Sequence, residues 1–217
     1  NNVHYVAAAA GWFHTVLLRS DGEALAFGED EHGQCWVPRL PHPGVHYVRA
    51  AAGMEHTVLV RNDGMAVAFG RDEHDGRCKV PYLDEKDVRY TGAAAGRYHS
   101  VLLCSDGNAV AFGRDMVDGR CSVPLLPASS ELRYIAAAGG WKHTMLLRSD
   151  GEVVLFGART NLMQSLLGTA DDDCKDRSCL CWTPPLPPDL RYMSGGMEEP
   201  PIQGEAVVPL LPSDKRG

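Results

Sequence analysis

A fold built only of small β-sheets, repeated along the chain, is what three features of this 217-residue sequence predict. A unit of about 43 residues recurs four times. Each copy holds two short apolar runs joined by an Asp-Gly pair. The chain also has 23 glycines, far more than helical repeats of this length would carry.

The copies align without gaps. VHYVAAAAGWFHTVLLRSDGEALAFG runs from Val3 to Gly28, and VHYVRAAAGMEHTVLVRNDGMAVAFG from Val45 to Gly70. VRYTGAAAGRYHSVLLCSDGNAVAFG runs from Val88 to Gly113, and LRYIAAAGGWKHTMLLRSDGEVVLFG from Leu132 to Gly157. His14, His56, His99 and His143 step by 42, 43 and 44 residues, as do Tyr5, Tyr47, Tyr90 and Tyr134. The first strand of each unit ends in small residues, Ala7 to Gly11 in the first copy, which suits a crowded junction with a neighbouring unit. Thr15–Arg19 and Ala24–Phe27 then flank Ser20-Asp21-Gly22, which predicts a hairpin with a primed turn. Both runs are apolar on two faces, so each sheet should be covered above and below. A polar loop follows and leads to Cys35-Trp36-Val37-Pro38, Cys78-Lys79-Val80-Pro81 and Cys121-Ser122-Val123-Pro124, taken as a fourth strand. Four short strands per period describe the blade of a β-propeller.

The string Ala-Ala-Gly-x-x-His-Thr-x-Leu-Leu-x-Ser-Asp-Gly, followed by Phe-Gly and Gly-Gln-Cys, resembles the repeat of the regulator-of-chromosome-condensation (RCC1-like) family. It departs from that pattern at Phe27, where the family has Trp, and at Cys35, where it has Leu. The short period is similar to the compact repeats of bacterial β-lactamase-inhibitor propellers and of arrays in single-celled algae. The resemblance implies an RCC1-like β-propeller, with seven blades in a closed ring, that binds other proteins. It covers residues 3–157 closely.

Four repeats are therefore expected, at about 3–44, 45–87, 88–131 and 132–157 onward. Residues 158–189 read as an insertion loop completing the fourth, because Tyr134 to Tyr192 is 58 residues. Residues 190–217 read as a degenerate fifth repeat and tail. There Gly204-Glu205-Ala206-Val207-Val208-Pro209 echoes Gly119-Arg120-Cys121-Ser122-Val123-Pro124, but the His-to-Phe-Gly hairpin is replaced by a Pro-rich link. Four blades and a fraction predict a small, partial or open propeller, whose uncovered blade edge invites a partner.

A net charge of −7 argues against nucleic acid as a partner, and no apolar run is long enough to cross a bilayer. No nucleophile elbow, Walker loop, dinucleotide fingerprint or H-E-x-x-H is present, so no catalytic residue and no cofactor is assigned. A histidine that recurs once per blade points to a role in the blade, not to a metal ring. Acidic runs such as Glu29-Asp30-Glu31 and Arg71-Asp72-Glu73 read as solvated turns. Cys174, Cys179 and Cys181 are the candidates for a metal, for a local Cys174–Cys179 disulfide, or for plain thiols; C-x4-C-x-C lacks paired zinc knuckles. Seven cysteines, with three at repeat positions, point to a reducing intracellular compartment, and the algal resemblance extends this to an organelle such as a plastid.

What varies inside a constant frame is the pair between the glycine and the histidine: Trp12-Phe13, Met54-Glu55, Arg97-Tyr98 and Trp141-Lys142. These should lie in equivalent turns on one rim. They either pack between blades or form a contact surface of the residue types enriched at interface hot spots. The expected role is a non-catalytic protein-interaction scaffold, an accessory or linking subunit of a larger assembly, organellar or photosynthetic by analogy. A guanine-nucleotide exchange factor and a ubiquitin-ligase recognition module are the alternatives the resemblance implies.

Overall fold

The computed structural model describes residues 2–83, 87–115, 118–128 and 130–157. The insertion loop, Cys174, Cys179 and Cys181, and the degenerate fifth repeat lie outside the described residues. Within them the chain forms twelve strands and no helix. The first sheet contains β1 (Tyr5–Ala10), β2 (His14–Arg19) and β3 (Ala24–Gly28). The second contains β4 (Tyr47–Ala52), β5 (His56–Arg61) and β6 (Ala66–Gly70). The third contains β7 (Tyr90–Ala95), β8 (His99–Cys104) and β9 (Ala109–Gly113), and the fourth β10 (Tyr134–Gly139), β11 (His143–Arg148) and β12 (Val153–Gly157).

Each sheet is an antiparallel meander with the middle strand of its unit at the centre. The register repeats from sheet to sheet: His14 lies opposite Gly28, His56 opposite Gly70, His99 opposite Gly113 and His143 opposite Gly157. A bulge follows each first-strand tyrosine, at Val6, Val48, Thr91 and Ile135, and turns the strand as it enters the sheet. Sheets follow one another in chain order with their first strands side by side, the arrangement of propeller blades, and no strand of the first sheet pairs with one of the fourth.

Two sequence expectations need correction. Among the described residues each blade has three strands, not four: Cys35-Trp36-Val37-Pro38, Cys78-Lys79-Val80-Pro81 and Cys121-Ser122-Val123-Pro124 are irregular. Each Cys backbone N–H is taken by an aspartate side chain, Cys35 by Asp30 Oδ1 at 2.8 Å and Cys78 by Asp72 Oδ1 at 3.0 Å. With that donor occupied, and proline lacking one, the segment has little left with which to join a ladder. The same bonds make Asp30 and Asp72 loop ties, not solvated charges. The hairpin turn also differs. Gly22 N donates to Arg19 O at 2.9 Å and Gly22 has φ +86°, whereas Ser20 and Asp21 keep negative φ. This is a turn followed by a left-handed glycine, not a primed turn, and Asp side chains brace it: Asp63 Oδ1 accepts from Met65 N at 3.1 Å and Asp106 Oδ1 from Asn108 N at 2.9 Å.

Core residues lie between blades. Ala24, Ala26, Val16 and Leu18 of the first sheet meet Tyr47, Leu59, Val67 and Phe69 of the second. Val58, Val60, Ala66 and Ala68 meet Tyr90, Leu102, Val110 and Phe112, and Val101, Leu103, Ala109 and Ala111 meet Tyr134, Leu146, Val154 and Phe156. The first three blades therefore present a leading face of Ala, Val and Leu, and the last three a trailing face with Tyr, Leu and Phe. The both-faces-covered expectation holds for the second and third sheets, while β2 alternates between buried and half-buried.

Candidate interaction site

The rim turns rest on polar contacts that recur at every blade junction. His14 Nε2 lies 2.8 Å from Thr57 Oγ1, whose hydroxyl donates to Gln34 O at 2.7 Å. His56 and Ser100 (3.0 Å) repeat this with Arg77 O, and His99 and Thr144 (2.8 Å) with Arg120 O. Because the hydroxyl proton goes to the carbonyl, its oxygen accepts from imidazole Nε2–H, which fixes the tautomer. Nδ1 then carries a lone pair, and it has no hydrogen-bond partner in His14, His56, His99 or His143. Each ring lies against the glycine that ends the small-residue strand; a Cβ on Gly53 would come within 2.2 Å of His56 Cε1. Burial pushes these imidazoles down, His56 to about 3 and His99 to about 4, with neighbouring Arg77 and Arg120 adding to the effect. His14, His56 and His99 are neutral struts between blades.

Tyrosines complete the junction. Tyr47, Tyr90 and Tyr134 donate their hydroxyls to Pro38, Pro81 and Pro124 O at 2.7 to 2.9 Å. Their backbone N–H groups donate to Gly22, Gly64 and Gly107 O on the preceding hairpin turns. A side chain on Gly64 would strike Arg89 Cβ at 2.5 Å, so glycine there serves both the left-handed turn and the close approach.

Above this frame sit the variable pairs. Trp12 N donates to Gly53 O and Arg97 N to Gly140 O, both at 3.1 Å, linking the turns of adjacent blades. The first members of the four pairs converge. The Arg97 guanidinium lies 3.9 Å from the Trp141 ring centre and 4.9 Å from that of Trp12, with its Nε 3.1 Å from Met54 Sδ. Trp12 and Trp141 meet edge to face at 5.9 Å. One side chain from every described blade thus enters a single cluster around one cation, and cation–π contacts of this type contribute roughly 0.5–2 kcal/mol each. No carboxylate among the described residues pairs with Arg97.

The second members diverge. Phe13 stands beside Trp12, ring centres 6.2 Å apart, and both are half exposed. Lys142 is exposed. Glu55 turns inward and pairs with Arg71 at 3.2 Å and buried Arg77 at 3.7 Å. Tyr98 lies beneath Arg77 and Arg97, each 4.8 Å from its ring centre.

Sequence reasoning passed over Arg77 and Arg120, which are buried. Arg77 pairs with Asp75 and donates to Arg97 O at 3.2 Å; Arg120 pairs with Asp118 and donates to Trp141 O at 2.7 Å. They brace the rim turns from below. Gln34 takes this place in the first blade and leaves its Nε2 without a partner. The signal was present in the triplets Gly33-Gln34-Cys35, Gly76-Arg77-Cys78 and Gly119-Arg120-Cys121, each arginine two residues after an aspartate.

Comparison with known proteins agrees with the repeat. Residues 5–34 match the family model described as the Regulator of chromosome condensation (RCC1) repeat. No curated protein matches the sequence. Among solved structures, human WBSCR16 aligns with a TM-score of 0.59 at 17% identity, over 72% of this chain and 48% of that one. Prp20p from Saccharomyces cerevisiae, whose structure is described with its binding properties to Gsp1p and histones, aligns at 0.57 and 19% identity over 70% and 44%. The ectodomain of the Physcomitrella patens receptor kinase CR4 aligns at 0.53 and 18% over 71% and 41%. The chain spans less than half the length of each of these proteins, and the likeness is one of fold.

Proposed function

We propose that this RCC1-like repeat protein is a non-catalytic interaction scaffold, a linking or accessory subunit that holds a partner protein at the rim cluster of Trp12, Phe13, Met54, Arg97, Trp141 and Lys142. The observation that carries the reading is Arg97 framed by two indoles at the one place where all four described blades contribute a side chain. Aromatic and Arg side chains on a rigid frame are the composition of interface hot spots. A guanidinium held against two indoles, with Lys142 in the same set of turns, suits a carboxylate-bearing segment of the partner. Glu55 and Tyr98 serve this surface from within, by fixing Arg77 and Arg97.

The test compares proteins that co-purify with the chain and with Trp12→Ala/Arg97→Ala, using Tyr82→Ser as the control at an exposed position on another loop. A partner lost only from the double variant supports the reading; identical partner sets for all three proteins exclude it. A second reading, guanine-nucleotide exchange, is favoured by the likeness to Prp20p and its described binding to Gsp1p. A nucleotide-release assay in which the chain gives no acceleration removes it.

A further inference from the structure

A cavity of about 380 Å³ lies where the second, third and fourth blades depart from the repeat. Its walls come from all three: Arg49 of β4, Thr91 to Ala93 of β7, and the segment from Arg133 to Ala137 that carries β10. The volume is that of a small-molecule site. Its shape depends on the residue after the first-strand bulge, which is Ala7 in the first sheet, Arg49 in the second, Gly92 in the third and Ala136 in the fourth. Gly92 does not have positive φ, so its backbone does not call for glycine. What glycine does there is leave the wall without a side chain, since a Cβ would come within 2.9 Å of Leu103 Cδ1. Arg49, the one large side chain in the set, lines the same space.

Arg133 enters from the other side. It lies over the hairpin turn of the third sheet: a Cβ on Gly107 would strike Arg133 Cγ at 2.5 Å, and Arg133 Nη1 donates to Ser105 O at 3.0 Å. Arg49 Nη1 donates to Val48 O at 2.8 Å. Neither arginine has a carboxylate partner among the described residues. Arg19, Arg61 and Arg148, by contrast, each pair with the turn aspartate two residues on. The third sheet has Cys104 in that place, and Asp106 spends both oxygens on Asn108, at 2.9 Å to N and 2.7 Å to Nδ2. Two guanidinium groups therefore line one cavity with no acid to balance them, in a chain of net charge −7. Leu103, Ile135 and Ala137 supply an apolar wall, and Thr91 a hydroxyl.

We propose that this cavity binds a small organic phosphate, with its dianionic head on Arg49 and Arg133 and a short apolar body against Leu103, Ile135 and Ala137. Two unbalanced positive charges call for two negative ones, and a phosphate monoester carries close to −2 on a single group above about pH 7. Guanidinium forks suit its oxygens. The apolar wall selects an organic body over the inorganic ion. None of the rim pairs lines the cavity, so the site is separate from the proposed protein-binding surface.

The test titrates phenyl phosphate into the 217-residue chain by calorimetry at pH 8 and low salt, beside Arg49→Ala, Arg133→His and Arg97→Ala. Alanine stands in the first and fourth sheets at the place of Arg49, and histidine in the first two repeats at the place of Arg133, so both variants keep a residue the fold already accepts. Histidine is uncharged at this pH. Each of the two should weaken binding about tenfold or more, and Arg97→Ala should leave it unchanged. Inorganic phosphate and phenol should each bind at least about tenfold more weakly than phenyl phosphate. Four results would overturn the proposal: no binding of phenyl phosphate, equal affinity in the parent and all three variants, a loss confined to Arg97→Ala, or benzoate binding as tightly as phenyl phosphate. The third would place the anion in the rim cluster, and the fourth would remove the need for a dianion.

Discussion

Thr57→Val asks whether the buried relay holds the blades together. Valine has nearly the shape of threonine, so the change removes the hydroxyl and little else. Two groups then lose partners in a site where Thr57 is fully buried: His14 Nε2–H, 2.8 Å from the lost oxygen, and Gln34 O, which accepted at 2.7 Å. Each unpaired buried group costs roughly 1–3 kcal/mol, and the added methyl returns about 1 kcal/mol. The expected net loss is about 1–5 kcal/mol, read from urea unfolding followed by circular dichroism and tryptophan fluorescence. Thr15→Val is the matched control: the same residue, strand position and substitution, where the hydroxyl has no hydrogen-bond partner among the described residues. It should change stability by no more than about 0.5 kcal/mol. If Thr57→Val costs under about 1 kcal/mol, or if the two variants cost the same, the relay does not hold the junction.

Two further outcomes follow from the buried titratable groups. The repeat histidines are neutral when folded, with His56 near 3 and His99 near 4, whereas in the unfolded chain they titrate near 6.5. The unfolded state therefore binds more protons below about pH 6.5, and stability should fall with pH from there to about 4, by up to roughly 1.4 kcal/mol per pH unit for each histidine. Unfolding midpoints measured between pH 7.5 and 4.5 check this, and a flat profile would mean that the imidazoles are not excluded from protons. The thiols of Cys78, Cys104 and Cys121 should be inert: burial pushes Cys78 and Cys121 up to about 12 and Cys104 to about 11. Alkylation at pH 8, read residue by residue by mass spectrometry, should leave these three unmodified in the native protein and modify them in urea; equal labelling in both states contradicts their placement.

The strand order, the blade and the place of the rim pairs were legible because they depend on local pattern. Apolar runs around Asp-Gly, and a glycine ahead of each histidine, are features that neighbours in sequence decide. The turn type was not legible, because Asp21 and its equivalents brace the loop with their own side chains and only Gly22 needs positive φ. The fourth strand was misread because Cys35 N and Cys78 N bond to aspartates five and six residues earlier, a competition invisible to apolar patterning. Thr57 looked like an ordinary strand threonine, since its imidazole partner lies 43 residues away on another blade. Convergence of Trp12, Met54, Arg97 and Trp141 depends on how four blades curve together, which no single repeat encodes.

Comparing the repeats with one another separates two kinds of position in the same unit. Histidine, the hydroxyl residue after it, the first-strand tyrosine and the turn glycine stay fixed, and at the three described junctions they are the positions that touch the adjacent blade. The pair ahead of the histidine changes every time, to Trp-Phe, Met-Glu, Arg-Tyr and Trp-Lys, although it is joined directly to that histidine. A backbone held on one side by a buried imidazole and on the other by a junction hydrogen bond cannot shift when its side chains change. Arg77 and Arg120 add a second restraint by donating into the rim carbonyls of Arg97 and Trp141. The rim can therefore carry different chemistry on each blade without disturbing the stack. That separation is what an interaction surface requires, and it explains why an arginine, a methionine and two tryptophans come together at one point on a frame that is otherwise the same four times over.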